Sequence, residues 1–290
     1  MGAPVVTIGV IGGSGLYEVD GLQDVREVRV DTPFGAPSDA LIVGRLGEAE
    51  VVFLPRHGRG HVYLPSEVPY RANIHALKQL GCSWVLSVSA VGSLREAIEP
   101  GHVVLPDQFF DRTRNRVSTF FGDGCVAHVG FGDPVCSVAR GFLREAANEA
   151  GAVVHDGGTY VCMEGPAFST RAESNAYRET GASVIGMTNL PEAKLAREAE
   201  LSYATLALAT DYDCWREGHD AVTVDQVIAV MHRNVALARR IIAGFVPRVA
   251  AYGKPAPATG ALQHAIMTAP DRIPPATRER LALLIGRYVG

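Results

Sequence analysis

From Tyr203 to Ala209 the chain reads Tyr-Ala-Thr-Leu-Ala-Leu-Ala, without a charge or a turn residue, and then meets Thr210-Asp211-Tyr212-Asp213-Cys214-Trp215. A short apolar run of this kind predicts a strand buried on both faces, as in a parallel sheet covered by helices. Ligands of open α/β sheets bind beyond the carboxyl ends of the strands. Here that end carries Asp211 and Asp213. If strand geometry persists, positions i and i+2 leave on the same side, so the two carboxylates would converge on one small object. Close carboxylates resist ionising together, which leaves one acceptor and one potential acid near neutral pH. The other reading is a solvated turn in which Asp caps the next helix.

Other strand ends carry chemistry too. Residues 5–11 predict a first strand that breaks at Gly12-Gly13-Ser14-Gly15. Counted from Gly13, the third glycine of a dinucleotide fingerprint would fall on Glu18, so that motif is not met. The loop is either a small anion site, with Ser14 adding a hydroxyl, or a plain turn. Residues 25–30, 40–43 and 50–54 predict meandering strands, the last running into Pro55-Arg56-His57-Gly58-Arg59-Gly60-His61. This cationic loop suits a phosphate, or else is a patch of solvated charge. The glycines argue against a helical zinc pair at His57 and His61, and no metal is expected. A strand at 84–88 leads to Ser89-Ala90-Val91-Gly92-Ser93, a second loop able to offer N–H groups and a hydroxyl to an anion.

Helices are expected at 69–80, 134–150 and 191–199, with further strands at 103–105, 158–163 and 183–186. Residues 107–133 predict a long polar loop, which in a compact domain signals function or an interface. Capping boxes open helices at Thr170-Arg171-Ala172-Glu173 and at Thr223-Val224-Asp225-Gln226, the latter beginning the longest amphipathic helix. Residues 253–260 read as a linker, followed by helical segments at 261–268 and 275–288.

With 290 residues, 47% of them hydrophobic, the chain can bury an ample core. A net charge of -4 suggests neither a nucleic-acid nor an anionic-membrane surface. The five scattered cysteines favour reduced thiols, and with no signal segment or membrane span in view a cytoplasmic protein is expected.

Ordered along the chain stand Gly12-Gly13-Ser14-Gly15, Asp31-Thr32-Pro33-Phe34-Gly35, Arg56-His57-Gly58-Arg59, Ala72-Asn73-Ile74, Gly92-Ser93-Leu94-Arg95, Glu164-Gly165-Pro166 with Phe168-Ser169 and Arg171-Ala172-Glu173-Ser174, Met187-Thr188, and Thr210-Asp211-Tyr212-Asp213-Cys214-Trp215. In these the chain, from about Val5 to Val249, resembles the trimeric purine nucleoside phosphorylases, in the branch that acts on 5′-methylthioadenosine. The resemblance implies a single-domain α/β fold, a twisted and partly barrel-like mixed sheet flanked by helices. Residues 1–250 would form the phosphorylase domain, and 251–290 a linker and short helical extension. It implies phosphorolysis to adenine and 5-methylthioribose 1-phosphate, with phosphate as co-substrate, no cofactor, and a homotrimer.

By motif position, Ser14, Arg56, His57, Ser89, Ala90 and Thr188 would hold phosphate. Met187 would lie under the ribose, and Phe168 would pack on the purine. Asp211 would face N7 and Asp213 the 6-amino group, as the catalytic pair. Val224, Val227 and Ile228 would line the methylthio pocket, and His128 would reach the neighbouring subunit's pocket. Asn189 stands where the animal-type enzyme has Thr, which opens a broader base preference. The alternatives are a phosphorylase of 6-oxopurine nucleosides or methylthioinosine, a hydrolytic nucleosidase, and a non-catalytic nucleoside-binding protein. An acid at N7 separates the enzymes from the last, and the phosphate loop separates phosphorolysis from hydrolysis.

Overall fold

The computed structural model describes residues 5–13, 15–16, 18–216 and 224–289; the side chains of 224–229, 231 and 232 are not described. The strands are β1 (Thr7–Gly12), β2 (Gln23–Val28), β3 (Leu41–Leu46), β4 (Ala49–Pro55), β5 (Cys82–Ser93), β6 (Val103–Leu105), β7 (Gln108–Arg112), β8 (Val154–Asp156), β9 (Thr159–Met163), β10 (Val184–Gly186) and β11 (Ser202–Asp211). The helices are α1 (Tyr70–Gln79), α2 (Ser137–Glu149), α3 (Arg171–Glu179), α4 (Asn189–Glu198), α5 (Val224–Ala250), α6 (Pro275–Arg280) and α7 (Ala282–Val289).

All these strands belong to one mixed sheet that forks at β5. On one side β5 pairs in parallel with β1, which continues to β4, β3 and β2. Along its length β5 also pairs in parallel with β11, while its last residues pair antiparallel with β10. The two branches meet again. β11 continues to β6 and β8, and β10 to β9 and β7. At the corner Gly157 N donates to Leu105 O and Asp107 N to Gly158 O, so β6 runs into β7 as β8 runs into β9. The result is the expected partly barrel-like mixed sheet with helices on its faces.

The central strands are apolar throughout because alternate side chains enter two different cores. On β5, Val85 and Val91 face the core made with Ile74 and Leu77 of α1 and Leu195 of α4. Trp84, Leu86 and Val88 face the core made with Leu143 of α2 and Ile241, Ile242 and Phe245 of α5. Tyr203 and Ala207 of β11 go to the first core, Ala204, Leu206 and Leu208 to the second. Among the described residues no helix is long and apolar enough to cross a membrane.

Several local expectations are corrected. Residues 89–93 continue strand β5, because β11 and β10 supply hydrogen-bond partners to its end. The stretch 107–133 contains β7, paired to β9, and β8 was not foreseen because its His155 and Asp156 leave no apolar run to mark it. Residues 261–268 form successive turns rather than a helix; Ala265 O accepts from His128 N instead of from its own segment, and Ile266 bridges Ala127. The capping box at Thr170 forms, with Thr170 Oγ1 accepting from Glu173 N and Glu173 Oε2 from Thr170 N. The one at Thr223 lies outside the described residues.

Candidate active site

Beyond the carboxyl ends of β1, β4, β5 and β11 lies a cavity of about 310 Å³. Gly13, Arg56, His57, Ser89, Ala90, Phe168, Met187, Thr188, Asp211 and Asp213 all line it. Ten positions scattered over some two hundred residues are thus brought to one place. Ser14 lies outside the described residues, between Gly13 and Gly15. Val224, Val227 and Ile228 fall on the first turns of α5, their side chains outside the description. His128 does not reach this cavity; it is exposed on the long loop, where its N–H donates to Ala265 O.

One wall offers cation and hydroxyls. Arg56, at the end of β4, is 3% exposed. Its Nε donates to Glu192 Oε2 (2.8 Å), Nη2 to Glu192 Oε1 (3.1 Å) and to Ser87 Oγ (2.6 Å), and Nη1 to Val88 O (2.9 Å). That commits four of the five N–H groups a guanidinium carries. Burial works against the Arg56 cation, but the paired Glu192 carboxylate outweighs it and holds the pKa above its ordinary value. Glu192, on α4, also accepts from Ser87 Oγ (2.6 Å) and Tyr203 Oη (2.8 Å). Next to this pair Ser89 Oγ lies 3.1 Å from Tyr160 Oη and 3.5 Å from Thr188 Oγ1, so two strand-end hydroxyls stand together.

His57 corrects the picture of a uniformly cationic loop. Burial first, then the Arg56 charge, push its pKa down to about 4, so the ring is neutral at neutral pH. Its Nδ1 is 2.9 Å from Tyr63 O; a carbonyl only accepts, so Nδ1 carries the proton and Nε2 is a bare acceptor. The ring stacks on His61 at 4.3 Å between centroids.

The opposite wall holds the carboxylates. They do not converge by strand alternation, as expected, but through a bulge and a turn. Ala209 pairs with Val91 and Asp211 with Gly92, so Thr210 is the extra residue of a β-bulge, a device that re-aims side chains. Asp213 then adopts a φ of 53°, in the left-handed region that Asp tolerates better than most residues. Its N–H folds back to Asp211 Oδ1 (2.7 Å), while Asp211 Oδ2 accepts from Thr210 Oγ1 (2.6 Å). Asp213 Oδ2 is buried without a hydrogen-bond partner among the described residues. Burial raises the pKa of both carboxyls; for Asp213 the Ser174 hydroxyl works against the rise and the Asp211 charge adds to it.

Between the walls, Phe168 is half exposed at the rim. Gly186 explains how Tyr160 reaches Ser89: a Cβ there would lie 2.0 Å from the Tyr160 hydroxyl. Asn189 is fully buried and is not among the residues that line the cavity; its Nδ2 donates to Thr205 Oγ1, while its Oδ1 has no hydrogen-bond partner among the described residues. Sequence reading missed Glu192, Ser87 and Tyr203. The available signal was polar groups inside otherwise apolar stretches, Ser87 within 84–88 and Glu192 directly after Pro191.

A family model described as the phosphorylase superfamily matches residues 7–247. The chain is 62% identical over 283 residues to the S-methyl-5′-thioadenosine phosphorylase of Geobacter sulfurreducens, covering 97% of this chain and 99% of the relative. It is 59% identical to the protein of that name from Thermosynechococcus vestitus, over 97% of this chain and 99% of the other. Among solved structures, a methylthioadenosine phosphorylase from an antarctic soil metagenomic library superposes with a TM-score of 0.93 at 49% identity, covering 97% and 99% of the two chains. The methylthioadenosine phosphorylase of Schistosoma mansoni, in complex with adenine, gives 0.86 at 37% identity, over 90% of this chain and 99% of that one.

Proposed function

The chain belongs to the phosphorylase superfamily, and from that premise we propose that it cleaves 5′-methylthioadenosine with inorganic phosphate, giving adenine and 5-methylthioribose 1-phosphate. The observation that carries this reading is one cavity lined by the Arg56 guanidinium, strand-end hydroxyls and the two half-buried carboxylates of Asp211 and Asp213. Cleavage of the N-glycosidic bond develops positive charge on the ribose and negative charge on the base. Phosphate held by Ser14, Arg56, Ser89, Ala90 and Thr188 stabilises the first and captures C1′. His57, neutral and with Nε2 free of a proton, accepts from a phosphate hydroxyl. Asp211, its pKa raised by burial, supplies a proton toward N7 as the C1′–N9 bond breaks. Asp213, with an unpartnered oxygen, accepts from the 6-amino group. Phe168 covers the purine and Met187 the underside of the ribose.

The same reading places Val224, Val227 and Ile228 around the methylthio group and His128 in the cavity of a neighbouring subunit, within a homotrimer. It assigns catalysis to residues 1–250. No cofactor is invoked. The unpaired cysteines support a reducing, cytoplasmic setting, where the products would feed purine and methionine salvage. The test is release of free adenine from methylthioadenosine with and without phosphate, beside inosine and adenosine. Adenine release that requires phosphate is expected; equal release in phosphate-free buffer would overturn the proposal.

A further inference from the structure

Arg116 lies in the loop after β7, outside the cavity, with its side chain only 1% exposed. Burying a guanidinium is costly unless its donors are satisfied. Its nearest carboxylate oxygen, Glu164 Oε1, is 3.8 Å from Nε, beyond hydrogen-bond reach. Nε has no hydrogen-bond partner among the described residues, and the two terminal nitrogens are held mainly by backbone carbonyls. Nη1 donates to Met187 O (2.5 Å) and Leu190 O (2.7 Å), and Nη2 to Glu164 O (2.7 Å) and Met163 O (3.4 Å). Nη1 also lies 3.2 Å from Tyr70 Oη, which in turn donates to Pro65 O (2.8 Å).

These acceptors belong to separate segments that wall the cavity. Met163 and Phe168 line it from the β9 side, Met187 and Thr188 from the β10 side, and Pro65 from the loop before α1. The two principal segments touch: a Cβ on Gly165 would lie 2.6 Å from Met187 Sδ. Four carbonyls converging on one planar fork is a geometry a guanidinium meets and an ammonium does not. We propose that Arg116 is a positioning residue, a clamp that sets the distance between the loop carrying Phe168 and the Met187–Thr188 wall. In the function proposed above, on which this inference rests, these are the purine cover and the ribose and phosphate floor.

The experiment compares Arg116→Ala and Arg116→Lys with the parent, after folding of each is checked by circular dichroism and thermal melting. A misplacement of about 1 Å can cost on the order of 10²-fold, so kcat/KM for methylthioadenosine should fall by about that factor in both variants. Millimolar guanidinium ion should restore much of the loss in Arg116→Ala, saturably. It should do nothing for Arg116→Lys, whose ammonium occupies the space. A folded Arg116→Ala with the parent's kcat and KM overturns the clamp, as does a loss that tracks melting and is not rescued. A parent that releases no adenine overturns the functional reading as well, so the two failures are distinguishable.

Discussion

Asp213 is the residue whose geometry makes the sharpest demand on a ligand. Its Oδ2 is buried without a well-formed hydrogen bond among the described residues, with the Ser174 and Ser169 hydroxyls as polar neighbours of the carboxylate, while both oxygens of Asp211 are bonded within the protein. Asp213→Asn exchanges that acceptor for a group that can also donate, so preference should move from 6-amino toward 6-oxo purines. The ratio of kcat/KM for methylthioadenosine to that for methylthioinosine measures it; an unchanged ratio would show that Asp213 does not read the base. Asp211→Ala should instead lower kcat, by about 10²–10⁴-fold for a lost general acid. His57 makes a prediction about pH. Its folded pKa, about 4, lies below the ordinary histidine value, so protons favour the unfolded chain. The stability tied to neutral His57 is therefore complete above about pH 6.5 and lost progressively as pH falls toward the folded value. Urea midpoints between pH 7.5 and 5 should fall more steeply for the parent than for His57→Gln. Parallel curves would mean that the ring is not held neutral.

At the scale of elements, β4 and α4 are tied through one buried ion pair. Arg56 and Glu192 are 4% and 2% exposed in their side chains, and Ser87 of β5 and Tyr203 of β11 donate to the same carboxylate. Four elements therefore meet at Glu192 beside the part of the cavity lined by Arg56. Removing one partner of such a pair leaves a buried charge uncompensated, at a cost of about 3–5 kcal/mol. Glu192→Ala should lower the melting temperature markedly. Glu192→Gln retains the size and one acceptor, and should chiefly raise the KM for phosphate by loosening Arg56. A KM for phosphate equal to the parent's would detach Glu192 from the phosphate wall.

At the scale of the whole molecule, the tail after Gly253 packs back onto the body. Leu262, Ile273, Leu281, Leu284 and Ile285 are buried in the core shared with α1 and α4. Glu200 gathers Leu262 N, Tyr288 Oη and Arg287, and Thr277 Oγ1 donates to Asp123 O. Val126 O accepts from Met267 N and His128 N donates to Ala265 O, so the tail also braces the loop that carries His128. Each large apolar side chain so buried is worth about 1.5–3 kcal/mol. Ending the chain at Gly253 should therefore remove an amount comparable to the whole margin of an ordinary domain, about 5–15 kcal/mol, and yield little soluble protein. A truncated chain that melted like the parent would show the tail to be an appendage.

Strand identity was readable wherever an apolar run was long enough to show itself, as at 203–209 and 84–88, because burial on both faces leaves a local mark in composition. The motif residues were readable for the same reason: glycines, hydroxyls and charges at strand ends are local facts. That Arg56, Ser89, Thr188, Asp211 and Asp213 share one cavity follows from the fork at β5, which depends on pairings between residues about 90 to 120 positions apart and leaves no local trace. The same holds for electrostatics. His57 looked like a cation in a loop of cations, and only its burial beside Arg56 makes it neutral. Arg116 looked like one more charge in a polar loop. Its acceptors are backbone carbonyls of distant segments, and every residue type carries a carbonyl, so no side-chain pattern could announce them.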